Sequence, residues 1–81
     1  MFMAIFENEK GETFSFGQGA AWTNKEMLID DLLRSGFLFA QSRRINEHEL
    51  EELRQSGCWS FSVGQGTRSI TTREVEEALT P

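Results

Sequence analysis

Trp59-Ser60-Phe61-Ser62-Val63 alternates apolar and polar residues without a break. Successive side chains of a strand point to opposite faces, so this run makes one apolar face and one hydroxyl face. The apolar face must be covered by other elements of the same chain. Gly64-Gln65-Gly66 supplies tight-turn chemistry, and Thr67 to Ile70 reads as the returning strand.

Two further strands are expected at the start. Met1 to Glu7 is rich in Phe and Ile, Asn8 to Glu12 is a turn, and Thr13 to Phe16 returns with Phe14 and Phe16 on one face. Helices are marked by their caps. Thr23-Asn24-Lys25-Glu26 reads as a capping box, followed by Met27, Leu28, Ile29, Leu32 and Leu33 at helical spacing and ended by Gly36. Phe37 to Gln41 reads as a buried third strand. A second helix is expected from Asn46, which pairs with Glu49 in a looser box. Ile45, Leu50 and Leu53 form its only apolar seam, and Gly57 ends it. Thr71-Thr72-Arg73-Glu74 is again a capping box, so a short last helix carrying Val75, Ala78 and Leu79 is expected to close the chain.

The chain has 81 residues, enough for one core. The expectation is therefore a small single α+β domain over residues 1–81. It has an N-terminal β-hairpin and a mostly antiparallel sheet of four to five short strands packed with two to three helices. The order is β-β-α-β-α-β-β-α. Leu32 and Phe61 are expected in its core. The seven Phe carry no polar group, so most should serve that core.

One segment repeats. Phe14-Ser15-Phe16-Gly17-Gln18-Gly19 returns as Phe61-Ser62-Val63-Gly64-Gln65-Gly66, and each copy is followed by a capping-box pattern. The two copies suggest equivalent corners. Their loops are either a binding edge presenting Gln18 and Gln65, or plain turns that need glycine. Gly-Gln-Gly lacks the third glycine of a dinucleotide loop and the Gly-Lys-Ser/Thr ending of a phosphate loop.

Catalytic and metal chemistry find little support. His48 is the only histidine and falls on the acidic helix, away from its seam, where a solvated ring is expected. Cys58 is the only cysteine, so it has no disulfide or metal partner. It is expected to pack as a small residue. Carboxylates four apart, such as Glu47 and Glu51, would need ligands from elsewhere to hold a metal. No catalytic residue, cofactor or metal is expected. With one cysteine, no signal-peptide pattern and no long apolar run, the expected setting is the cytoplasm rather than a membrane.

Net charge is −5, the wrong sign for a protein that tracks phosphates. The expected function is a non-enzymatic protein-interaction module that binds a basic partner surface through an acidic face of Glu47, Glu51, Glu52, Glu76 and Glu77. Small acidic inhibitors or regulators of the phage and mobile-element kind, which mask the nucleic-acid-binding surface of a larger machine, are the class-level analogy. The alternative is a small nucleic-acid-binding regulator using loop residues Gln18, Gln65, Arg43, Arg44 and Arg68, with Arg73 nearby. A glutamate-rich helix would serve that alternative poorly, because it repels phosphate. Homodimerisation through a sheet edge is a further route.

Overall fold

The structure, a computed structural model, describes residues 1–41 and 43–75. Strand β1 (Phe2–Glu7) turns into β2 (Thr13–Ser15). Helix α1 (Lys25–Arg34), a short 3-10 helix at Phe37–Phe39, and helix α2 (Glu47–Ser56) follow. Strands β3 (Cys58–Val63) and β4 (Gly66–Glu74) end the described chain. The four strands form one antiparallel sheet in the order β2-β1-β4-β3.

The longest strand, β4, lies between β1 and β3. The amide of Val75 donates to the carbonyl of Met1 at 2.7 Å, so the sheet centre is built from the two ends of the described chain. Both central strands gain ladder hydrogen bonds on two sides, which makes them the best-paired of the described strands.

The alternation of Trp59, Phe61 and Val63 is realised: Trp59 and Phe61 are buried, and Ser60 and Ser62 are exposed. Across the sheet the register aligns Phe14, Phe6, Ile70 and Trp59 in one row on the covered face. The helices close that face. Helix α1 packs on β1 and α2 packs on β3. Leu28, Ile29 and Leu32 from α1, Leu38 from the 3-10 helix, Ile45 and Leu53 meet Ala4, Trp59, Phe61 and Ile70 in a single core.

Both helices are capped as their sequences allow. Asn46 accepts from the Glu49 amide at 2.8 Å, and the Glu49 carboxylate accepts from the Asn46 amide at 3.2 Å. The looser pairing expected there is thus a complete capping box. Helix α1 is capped by Asn24, which accepts from the Met27 amide at 2.9 Å. The expected Thr23 cap is therefore off by one residue, because Asn serves this position as well as Thr does. Met27, expected in the apolar stripe, is 51% exposed.

Two expectations need correction. Phe37 to Gln41 is not a strand. Gly36 reverses the chain at φ 79°, and both edges of β1 are already taken by β2 and β4, so Phe37–Phe39 closes as a 3-10 helix between the helices and buries Leu38. Thr71 to Glu74 does not cap a helix either. These residues continue β4, pairing with β1 throughout and with β3 at Thr71. Ala78 and Leu79 lie outside the described residues. The general α+β class and the antiparallel sheet stand, with four strands and two α-helices in the order β-β-α-α-β-β.

Candidate interaction surface

Helix α2 carries four glutamates and one arginine, and they are used differently. Glu49 is half-buried and spent on local structure: it completes the capping box and holds Arg43 in an ion pair. Glu51 faces Arg54 at 4.0 Å and accepts from Gln55 at 3.0 Å, both exposed contacts on the helix surface. Glu47 and Glu52 are exposed, and their carboxylates have no partner among the described residues. The fully buried Leu53 and the half-buried Leu50 turn the opposite side of the helix to the core. The face of α2 directed to solvent is thus mostly uncompensated negative charge. Glu76 and Glu77, the other expected members, lie outside the described residues.

The loop arginines are dispersed and partly occupied. Arg43 pairs with Glu49. Arg44 stands over the Phe39 ring, 5.8 Å from its centroid, a cation–π contact that keeps it near the 3-10 helix. Arg68 grips Glu9 through two nitrogens at 2.7 and 3.4 Å. Its hydrogen bond and the backbone bond at Glu9 outweigh desolvation and draw the Glu9 carboxyl from its ordinary 4.5 down to about 2. The two groups are 59 residues apart, so no local pattern marks the pair. It locks the β1–β2 turn against the β3–β4 hairpin. Arg73 is five positions on from Arg68 in β4, an odd spacing that puts the two on opposite faces of the sheet.

The two Gly-Gln-Gly segments are not equivalent. Gly64 and Gln65 form the two-residue turn between β3 and β4, at the end of the sheet where Glu9 lies. Gly17-Gln18-Gly19 lies in the loop after β2, at the opposite end, where Phe16 bonds back to Ala4. All three of its residues have positive φ, Gln18 at 58° included. A shared binding edge presenting both Gln18 and Gln65 is not formed. Around Gln65, Glu9, Lys10, Val63, Gly64 and Arg68 border an open hollow of about 470 Å³.

The aromatic side chains divide. Phe6, Phe16, Phe37 and Trp22 form a run of ring contacts at 5.5 to 5.6 Å along the β2 side of the core. Trp22 also donates its indole N–H to Asp31 at 2.6 Å, tying its loop to α1. Phe61 is buried in the core and Phe2, Phe6, Phe16 and Phe37 pack against it, as expected for most of the phenylalanines, while Phe14 and Phe39 are exposed. The buried Trp59 indole N–H has no acceptor among the described residues.

The face of the sheet away from the helices has no cover among the described residues. It presents Ser60, Ser62, Thr67 and Thr71 beside the half-buried Ile5 and Met3. Cys58 belongs to it and is exposed, against the expectation of a packed thiol, because its strand position has odd parity to Trp59. Its Sγ is 3.8 Å from Thr71 Oγ1. His48 is exposed on α2 as its position predicts. Among the described residues no three His, Cys, Asp or Glu side chains come together in a metal-binding group. No helix among them is long and apolar enough to cross a membrane. Comparison of the chain with protein-family models, with curated proteins and with solved structures finds no match.

Proposed function

We propose that this protein is a non-enzymatic interaction module, a small acidic regulator or inhibitor that masks a basic, nucleic-acid-binding surface of a larger protein. One observation carries the reading. Glu47, Glu51 and Glu52 stand exposed on one capped, well-anchored helix, with only Arg54 among the described residues to offset them. Charges held on a rigid helix lose less conformational freedom on binding than charges on a loop, so the same attraction yields more affinity. The alternative, nucleic-acid binding through loop arginines, is less favoured. Arg43 and Arg68 are each held by a glutamate, and phosphate would have to displace those carboxylates.

The test is a tagged pull-down with and without nuclease, comparing the natural chain with the Glu47→Lys, Glu51→Lys, Glu52→Lys triple variant. The expected result is a protein partner that survives nuclease and is lost by the triple variant while its circular dichroism is unchanged. Retention by the folded triple variant would refute the acidic-face reading. Loss of every partner after nuclease would move the function to nucleic acid.

A further inference from the structure

The two edges of the sheet are unlike. Strand β2 is three residues long, a length too short to template another chain. Strand β3 is six residues long, without proline or charge, and its register runs unbroken from Cys58 to Val63. An edge of that kind is normally blunted by a charge, a bulge or a proline. Its backbone parity is set by the Thr72 amide, which donates to the Gly57 carbonyl at 2.7 Å. Trp59, Phe61 and Val63 therefore turn their backbone groups to β4, and Cys58, Ser60 and Ser62 turn theirs outward. Ser56 Oγ already serves both outward groups of Cys58, at 3.3 and 3.2 Å. Those of Ser60 and Ser62 have no neighbouring strand among the described residues.

We propose that this edge takes up an extended segment of the partner protein as a fifth strand, with Lys or Arg at every second position and small or hydroxyl residues between. The inference rests on the acidic-face reading and deepens it by naming the form of the partner. Helix α2 packs on β3 itself, so a strand added at this edge runs alongside the acidic helix. Alternate side chains of the added strand point to the helix side. There the aliphatic stem of Lys or Arg covers the margin of Val63 and Phe61, and its charge meets the α2 carboxylates. The intervening side chains fall beside exposed Ser60 and Ser62, which suits small or hydroxyl residues. A second copy of this chain fits less well. Pairing β3 with β3 brings two α2 helices side by side, each with four glutamates against one arginine.

A short synthetic peptide alternating Arg and Thr tests this, titrated onto the whole protein and followed by fluorescence anisotropy. Two versions carry N-methyl groups on alternate amides, one on the odd set and one on the even set. The expected result is binding that one version weakens on the order of tenfold and the other leaves intact, because only alternate amides face β3. Ser60→Pro, which removes an outward N–H and no bond to β4, should weaken binding similarly. Equal binding by both methylated versions overturns the edge inference. If the glutamate-reversed triple variant then still loses the peptide, the acidic-face reading survives alone. Parity-dependent binding that ignores the triple reversal overturns the basic occupant, and so does failure of the peptide to bind at all. A dimer of the free protein that Ser60→Pro dissociates would make the occupant a second copy, which also overturns the proposal.

Discussion

Leu53→Ala tests how α2, and with it the proposed surface, is held. Leu53 is fully buried and is the one side chain of α2 with no exposure. Burying a leucine contributes about 1.5–3 kcal/mol by transfer alone, and the cavity left by truncation raises the total to about 2–5 kcal/mol. Where the cost falls in that range depends on whether the helix can settle into the void. Both of its ends are fixed. The Asn46 capping box holds one end. At the other, the Gly57 amide donates to Leu53 at 2.9 Å, and its carbonyl accepts from Thr72 through both the amide and Oγ1. With little room to settle, we expect about 3–5 kcal/mol. A domain of 81 residues has roughly 4–12 kcal/mol in all, so the variant should lose at least about a quarter of its stability. At about 4–8 °C per kcal/mol, the melting temperature falls by at least about 12 °C. Thermal unfolding followed by circular dichroism and by tryptophan fluorescence gives the number. A loss under about 1.5 kcal/mol, with both probes coincident, would refute the anchoring of α2 by Leu53.

Two further predictions follow from local geometry. Glu9 has its carboxyl lowered to about 2 by Arg68, so its contribution is complete above its ordinary value of 4.5 and is lost as pH falls through about 2. The melting-temperature gap between the natural chain and Glu9→Gln should be constant above about pH 5 and close across that acid window; a gap that persists unchanged at pH 2 would refute the assignment. Gly57 has φ 81°, and a Cβ there would lie 2.8 Å from Thr72 Oγ1, whereas Gly36 at φ 79° faces open space. Gly57→Ala should therefore cost more than Gly36→Ala, roughly 2–3 against about 1 kcal/mol in denaturant unfolding, and equal costs would show that the α2–β3 corner is looser than its geometry states.

Local pattern alone determined much of this protein. The alternation at Trp59 to Val63 forces one face in and one out whatever the fold, and the Asn46–Glu49 pair marks the α2 start because both partners lie within one turn. The exposure of Glu47, Glu51 and Glu52 follows from the seam of Leu50 and Leu53, since a helix that turns those two inward must turn these three outward. The tertiary structure decided what local signals left degenerate. Thr23 to Glu26 and Thr71 to Glu74 carry the same capping-box pattern, yet the first precedes a helix and the second is strand. A cap is worth about 1 kcal/mol, while a strand seated between β1 and β3 gains hydrogen bonds on both sides and buries Ile70. Phe37 to Gln41 failed as a strand for the converse reason: it had the composition but no free edge beside β1. The Glu9–Arg68 pair and the open side of β3 depend on which strands become neighbours. Alternation tells a strand which face to bury, but the identity of its neighbours is settled only when residues near 75 return to pair with residues near 1.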